Sequence, residues 1–115
     1  GYIRSDFGAI GRLCTAHHVC ANPKEAVGRA VRAGLHVQGF DYPSEVWRES
    51  LLANLKEDPS FAALLDDCVR RILRVKFEMG LFENPYTDEE AYKTIIRSPE
   101  HLRLSRKAAE EGSVC

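Results

Sequence analysis

Asp6 is the side chain near the start of this sequence whose type and surroundings could support catalysis. It follows a short apolar stretch and precedes the aromatic residue Phe7. We expect residues 1–5 to form a β-strand that delivers Asp6 into the loop at its carboxyl end, where barrel-type α/β enzymes place their active sites. A carboxylate that only caps a turn would give the same local pattern, so the pattern by itself leaves both interpretations open.

A second group of chemically active side chains follows a few residues later: Cys14, His17, His18 and Cys20. Thiolates and imidazoles are common zinc ligands. Neighbouring histidine side chains tend to diverge, however, and the spacing is not that of a standard zinc knuckle, so we favour hydrogen bonding within the loop. With Cys68 and Cys115 the chain has four cysteines. Their spacing matches neither paired CxxC motifs nor a disulfide-rich scaffold, which predicts free thiols.

One helix and a second strand are predicted after the first strand. Residues 7–21 have weak periodicity and are predicted to be mostly loop, with at most one short helical turn. Asn22 followed by Pro23 is a helix-start pattern, because Asn22 can cap and proline suits the first helical position. Gly34 can end this helix by adopting a left-handed conformation. Residues 35–40 then alternate in a way that predicts a strand.

Helices are predicted for most of the remaining chain. Ser44 should cap a helix over residues 45–56, and a longer helix is predicted over residues 61–79. A capping box at residues 87–90 and the Ser98-Pro99 pair each predict a further helix start. The apolar residues expected to face inward on the two longer helices are Trp47, Leu51, Leu52, Leu55, Leu65, Cys68, Val69, Ile72, Val75 and Met79.

The predicted order of strand, loop, helix, strand and helices indicates an α/β fold with a parallel sheet and a right-handed crossover. Two strands cannot form a parallel sheet that is covered on both faces. We therefore interpret the chain as a fragment holding the last βα units of a TIM-type (β/α)₈ barrel, roughly a quarter of such a barrel. Residues 1–80 would belong to the barrel domain, and residues 81–115 would be a helical linker toward a missing second domain.

The overall composition argues against two classes of partner. The chain has 115 residues with 16 Lys and Arg against 17 Asp and Glu, a formal net charge of −1. This balance gives no support for binding to nucleic acid or to an anionic membrane. No apolar run approaches the roughly 20 residues that span a bilayer. The absence of an initial Met and of a signal-type segment leaves the compartment undetermined.

Several motifs, in this order along the chain, resemble family 3 glycoside hydrolases, the β-glucosidase-like family. The segment Ser5-Asp6-Phe7-Gly8-Ala9-Ile10 is similar to the nucleophile motif of that family, and His17-His18 resembles a feature found downstream of it. Residues 25–35 resemble the helix that leads into the last barrel strand, and residues 70–86 are close to the run at the end of the barrel domain. The segments 98–101 and 108–111 resemble the approach to the interdomain linker.

This resemblance implies a retaining hydrolysis of terminal β-glycosidic bonds, with a β-glucosidase favoured and a β-xylosidase as the alternative. Asp6 would be the ionised nucleophile, and Phe7 would border the sugar site on the leaving-group side or simply pack. The acid/base is expected outside this chain, so the fragment alone is expected to be inactive. The expected partners are a β-linked oligosaccharide or glycoside and the earlier barrel strands and second domain of the parent chain. No metal or organic cofactor is required.

Two departures from the family pattern leave a further interpretation open. Many members have Asp where this chain has His36, which alters a charge on the last barrel strand. The end of the chain, Gly112-Ser113-Val114-Cys115, replaces a more apolar pattern. A non-catalytic carbohydrate-binding or structural remnant therefore stands as the alternative to an enzyme.

Overall fold

The computed structural model describes residues 1–113 and contains one pair of short strands together with several helices. Val114 and Cys115 lie outside the described residues, and so do the predictions made for them. Residues 1–82 form one unit and the residues from 83 onward form another. The first unit contains β1 (Arg4–Phe7), α1 (Ala9–Thr15), α2 (Pro23–Arg32), β2 (Val37–Gly39), α3 (Ser44–Glu57) and α4 (Phe61–Glu78), and the second contains α5 (Tyr92–Ile95) and α6 (Pro99–Gly112).

The two strands pair in parallel, as the sequence predicted. Arg4 lies opposite Val37 and Phe7 lies opposite Gly39. Two residues therefore separate the paired positions on β1 but only one separates them on β2, which is the register of a β-bulge. The crossover between the strands contains α1 and α2, so the α/β order is confirmed for this unit, while the larger barrel stays a prediction.

Helix α1 corrects the prediction that residues 7–21 are mostly loop. Gly8 adopts a left-handed conformation with φ of 70°, and the chain then turns into a helix of seven residues. Ile10 is only 3% exposed, and Leu13 and Cys14 pack against the same cluster of buried residues. These three apolar positions are one helical turn apart, so burial of one face stabilises a helix that lacks a side-chain cap of its own.

Helix α2 begins and ends as predicted. The Asn22 side chain accepts a hydrogen bond from the Glu25 backbone N–H at 3.0 Å, and Pro23 is the first helical residue. Gly34 follows the helix with φ of 92°, a conformation that L-residues with a Cβ rarely adopt. Val27 and Val31 of this helix are buried against Phe61, so α2 forms the centre of the first unit.

Helices α3 and α4 close the apolar core, with some departures from the predicted faces. Residues from both helices pack against the buried Val27, Val31 and Phe61, and they include Trp47, Leu51, Leu55, Leu65 and Cys68. Leu52, Val69 and Met79 were predicted to face inward, but each of them is more than half exposed. Ser44 is the first residue of α3 rather than its cap, because Pro43 occupies the capping position.

One buried polar side chain joins α2 to α3. Asn54 is buried, and its amide donates to the backbone carbonyls of Lys24 at 2.9 Å and Ser50 at 2.8 Å. Its carbonyl oxygen accepts from the Arg32 guanidinium at 3.2 Å. A Cβ on Gly28 would come within 2.2 Å of the same oxygen. Close approach of the two helices therefore requires a glycine at this position.

The start of α4 is fixed by a charged turn. Asp58 accepts hydrogen bonds from the Ser60 N–H and hydroxyl, and it forms an ion pair with Arg32 at 3.2 Å. The Ser60 hydroxyl and then the Arg32 guanidinium lower the pKa of the Asp58 carboxyl below its usual value. This turn lies between the end of α3 and the start of α4.

The second unit consists of two helices. Helix α6 is capped as predicted, since the Ser98 hydroxyl accepts from the His101 N–H at 3.3 Å. The predicted capping box at residues 87–90 was wrong: α5 begins only at Tyr92, and no side chain caps it. Asp88 instead accepts from the Glu90 N–H at 2.9 Å, which forms a local turn. Among the helices of residues 1–113, none has the length and apolar character needed to cross a membrane.

Candidate active site

Asp6 lies within the bulged part of β1, one residue before the end of the strand. Asp6 was expected in the loop after the first strand, but it lies inside β1. Its side chain is exposed, and one carboxylate oxygen accepts from the Phe7 backbone N–H at 2.8 Å. Because a bulge redirects side chains at a sheet edge, this geometry presents a hydrogen-bonded carboxylate to solvent.

Two aromatic rings border Asp6. Phe7 is 71% exposed, and Phe40, directly after β2, is 75% exposed. Their ring centroids are 6.4 Å apart, and the Arg4 guanidinium lies 5.7 Å from the Phe40 ring centroid. These residues line a shallow cleft of about 510 Å³ together with Ser5, Asp6 and Gly39. Exposed aromatic faces beside a carboxylate can stack on the apolar face of a ring-shaped ligand.

Phe40 was not among the site residues expected from the sequence. The signal that could have found it is the parallel pairing itself, because the carboxyl ends of neighbouring parallel strands meet at one edge. Phe40 follows β2 just as Phe7 ends β1. Phe40 also has φ of 58°, an unusual conformation for a bulky residue. Such conformations are concentrated at binding and active sites.

A side-chain bridge holds this unusual turn. The Gln38 amide donates to the Tyr42 backbone carbonyl at 3.0 Å, and its carbonyl oxygen accepts from the Tyr42 N–H at 3.0 Å. Both backbone groups of Tyr42 are therefore paired with one side chain across the turn. The bridge spans the turn that contains Phe40, so it stabilises the backbone conformation that places the Phe40 ring at the border of the cleft.

Gly39 lets β2 approach β1 closely beside Asp6. A Cβ at this position would lie 2.5 Å from the Ser5 carbonyl oxygen and 2.9 Å from the Asp6 carbonyl oxygen. Both neighbours are backbone atoms, which cannot move away without displacing the strand. The close approach therefore depends on glycine at residue 39.

We predict that Gly39→Ala separates the strands at Asp6 and lowers stability by about 1–3 kcal/mol, the usual cost of overpacking. Gly11→Ala is the matched control, because a Cβ there meets no neighbouring atom within 4 Å. Urea unfolding of both variants would measure the difference. Equal midpoints for the two variants would contradict this account of Gly39.

His36 occupies a structural position at the other end of the strand pair. It precedes β2, and its Nδ1 accepts from the Ile3 backbone N–H at 2.8 Å. The His36 N–H in turn donates to the Ile3 carbonyl at 3.0 Å. The side chain that departs from the family pattern thus pairs with the amino-terminal end of β1 and does not line the cleft around Asp6.

The cysteine and histidine group does not assemble as a metal site. Within residues 1–113, no three Cys, His, Asp or Glu side chains meet in a way that could hold a metal ion. The Cys14 thiol donates to the Asn22 carbonyl at 3.4 Å and lies 4.0 Å from the Tyr42 hydroxyl. Cys20 is buried, and its desolvation raises the pKa of its thiol. The free thiols predicted for residues 14, 20 and 68 are confirmed.

Tyr42 gives this region a measurable titration. Burial, then the hydrogen bond with Cys14, raises the pKa of the Tyr42 phenol to about 12. The neutral form is the one that folding favours, so this stabilisation is complete below pH 10 and is lost as the pH rises toward 12. We predict that an absorbance titration shows a tyrosine ionisation step near pH 12 and that Tyr42→Phe removes this step. A titration curve that is the same in the wild type and in Tyr42→Phe near pH 12 would contradict the prediction.

Comparison with known proteins shows that the chain is similar to part of several glycosidases. No protein-family model matches it. It is 34% identical over 119 residues to the periplasmic β-glucosidase of Salmonella typhimurium, an alignment that covers 99% of this chain and 15% of the relative. It is 25% identical over 122 residues to a β-xylosidase of Formosa agariphila, covering 99% of this chain and 16% of the relative. It is 32% identical over 92 residues to the lysosomal β-glucosidase of Dictyostelium discoideum, covering 79% of this chain and 11% of the relative.

The chain thus spans about a sixth of the length of the curated relatives it matches. The names of these relatives all describe β-glycosidases, and two of the alignments cover nearly every residue of this chain. The resemblance drawn from the short motifs therefore extends to the chain as a whole. Over nearly its whole length, the sequence therefore resembles a segment of β-glucosidase-like glycosidases.

Proposed function

We propose that this chain carries the nucleophile of a retaining family 3 β-glycosidase that hydrolyses terminal β-glycosidic bonds. The observation that carries the proposal is the exposed carboxylate of Asp6 at the bulged edge of a parallel strand pair, bordered by Phe7 and Phe40. The homology to proteins named β-glucosidase and β-xylosidase supports the substrate class.

In the proposed first step, Asp6 attacks the anomeric carbon of the sugar. The glycosidic bond breaks as the new carbon–oxygen bond forms, and an acid donates a proton to the leaving oxygen. The same group, now a base, removes a proton from water, which attacks the anomeric carbon and releases Asp6. The exposed position of Asp6 supports direct attack, since its carboxylate faces the cleft edge rather than the core.

Phe7 and Phe40 are proposed to bind the sugar at its faces. Their rings are tilted by 36° to each other and both are mostly exposed. An aromatic ring can cover the C–H face of a pyranose and exclude water from it, while hydroxyl groups at the ring edge stay free for hydrogen bonds. The arrangement is suited to holding one terminal sugar next to the Asp6 carboxylate.

The remaining machinery is proposed to come from chain segments beyond these residues. Residues 1–80 would complete a (β/α)₈ barrel with earlier strands, and residues 81–115 would lead to a second domain. The acid/base is proposed to lie outside this chain, which predicts that the 115 residues alone do not turn over a glycoside. A parallel sheet requires that its strand edges be covered, and the earlier strands would cover the exposed edges of β1 and β2.

The choice between a glucoside and a xyloside is the second question for this site. Relatives of both names align over nearly the whole chain with similar identity, 34% for a β-glucosidase and 33% for a Formosa agariphila protein named as a β-xylosidase, so identity does not separate the two substrates. We propose the β-glucosidase. A non-catalytic remnant is the alternative, and Asp6 itself would be present in either case.

Product stereochemistry tests the proposal. The longest reading frame that contains this sequence would be incubated with aryl β-glucoside and, separately, with aryl β-xyloside, and the first sugar released would be followed by proton NMR. We expect the β-anomer to appear first, with faster turnover of the glucoside. Release of the α-anomer would contradict the retaining mechanism. Faster xyloside turnover would select the β-xylosidase, and no turnover by the folded protein would favour the non-catalytic remnant.

A further inference from the structure

Asp41 lies behind the proposed nucleophile and joins three segments of the chain. One of its carboxylate oxygens accepts from the backbone N–H groups of Ile10 at 2.5 Å and Gly11 at 3.0 Å. The other accepts from the Ser5 hydroxyl at 2.9 Å. The Ser5 oxygen also accepts from the Gly39 N–H at 2.7 Å. Ser5 comes before Asp6 in the chain and Ile10 and Gly11 come after it, and each of these three partners is 30 or more residues from Asp41.

The network has a fixed direction. The Gly39 N–H donates to the Ser5 oxygen, and the Ser5 hydroxyl donates to Asp41. Each link therefore requires Asp41 to act only as an acceptor, which an ionised carboxylate does. Hydrogen bonds from a hydroxyl or N–H to a carboxylate are stronger than neutral ones, and a negative charge is favourable at the first turn of a helix. The charge of Asp41 thus stabilises both α1 and the bulge in β1.

We propose that Asp41 is a positioning residue for Asp6. It holds Ser5 on one side of Asp6 and the start of α1 on the other, and so fixes the bulge that directs the Asp6 carboxylate into the cleft. Both Asp41 oxygens accept hydrogen bonds from the protein itself, so Asp41 acts through these contacts rather than on the substrate. This inference rests on the proposed role of Asp6.

Asp41→Asn tests the directional requirement with almost no change in volume. An asparagine amide can keep its oxygen toward α1, but its NH₂ group then faces the Ser5 hydroxyl, and the hydroxyl must reverse. A displacement of about 1 Å at a nucleophile costs roughly 100-fold in rate. We therefore expect the rate constant for Asp6 labelling by an activated 2-deoxy-2-fluoro-β-glucoside to fall by about 10- to 100-fold at saturation. The concentration for half-saturation should change by less than about threefold, because the cleft residues that would contact the sugar are intact.

Two further variants separate positioning from general stability. Asn22→Ala removes the side-chain cap of α2 at a residue that does not line the cleft around Asp6, and it is the control for a simple loss of stability. Its labelling rate constant should stay at the wild-type value. Ser5→Ala should resemble Asp41→Asn, whereas Ser5→Thr, which keeps the hydroxyl, should restore most of the rate. Because Ser5 and Asp41 act in one chain of hydrogen bonds, the double variant should be little worse than either single one.

The experiment uses the longest reading frame that contains this sequence, with amide hydrogen exchange as a second readout. Exchange of the Phe7 N–H, which donates to Asp6, should be faster in Asp41→Asn and unchanged in Asn22→Ala. A wild-type labelling rate in Asp41→Asn, or additive effects in the double variant, would overturn the inference. If the wild-type protein is not labelled, the proposed function fails, and the Phe7 exchange rate alone then decides whether Asp41 positions Asp6.

Discussion

Asp6→Asn should reduce hydrolysis of aryl β-glucoside by the longest reading frame containing this sequence by roughly 10⁴- to 10⁶-fold, the usual range for loss of a nucleophile. The amide is nearly the same size as the carboxylate, and it can still accept from the Phe7 N–H through its oxygen. The change therefore removes the nucleophilic charge and leaves the fold unchanged. Steady-state kinetics would measure the loss, and substrate binding should be retained because the bordering rings remain.

Asp66→Asn is the matched control for this prediction. Asp66 is an exposed aspartate on α4 and does not line the cleft around Asp6. The same loss of one carboxylate charge there should leave the rate within about twofold of the wild type, as surface substitutions usually do. Comparable rate losses in both variants would mean that Asp6→Asn acts through a general change in charge or in folding, and not through loss of the nucleophile. Full activity of Asp6→Asn would remove Asp6 as the nucleophile.

Phe61→Ala should lower the free energy of unfolding by about 3–5 kcal/mol, the usual cost of truncating a buried aromatic side chain. Phe61 is fully buried against Val27 and Val31 of α2. Its ring also lies 4.8 Å from the Arg32 guanidinium. Truncation would leave a cavity at the point where α2, α3 and α4 meet, and it would remove this cation–π contact.

Urea unfolding of the 115-residue chain would measure the change. Trp47 is the single tryptophan and packs against the same core, so its fluorescence reports on this unit. Phe77→Ala is the matched control, since Phe77 lies on the same helix but is 60% exposed. It should cost less than about 1 kcal/mol. Equal losses in the two variants would contradict the assignment of Phe61 to the core.

Local patterns predicted the parts of the fold that local interactions stabilise. Helix α2 and helix α6 carry their own capping side chains, Asn22 and Ser98, and both begin where predicted. Helix α1 has no side-chain cap and no acidic residue in its first turn. Its first turn is bound instead by Asp41, about 30 residues away in sequence. Single-sequence periodicity cannot register such a contact, so this helix was missed.

The residues of the candidate site show the same difference between local patterns and long-range contacts. Asp6 and Phe7 are adjacent in sequence and belong to one recognisable motif, so both could be selected before the structure was known. Phe40 and Asp41 enter the site only through the parallel pairing of β1 with β2, together with the bulge and the turn after β2. The pairing was predicted, but neither the bulge nor the left-handed conformation of Phe40 has a local signal in the sequence.

The most direct test of the central claim is covalent trapping of Asp6. The longest reading frame that contains this sequence would be incubated with an activated 2-deoxy-2-fluoro-β-glucoside, and the labelled peptide would be mapped by mass spectrometry. The fluorine slows breakdown of the glycosyl-enzyme more than an activated leaving group slows its formation, so the intermediate accumulates. The account predicts one sugar attached to Asp6. A label on another carboxylate, or a folded protein that turns over the glycoside without labelling Asp6, would contradict it.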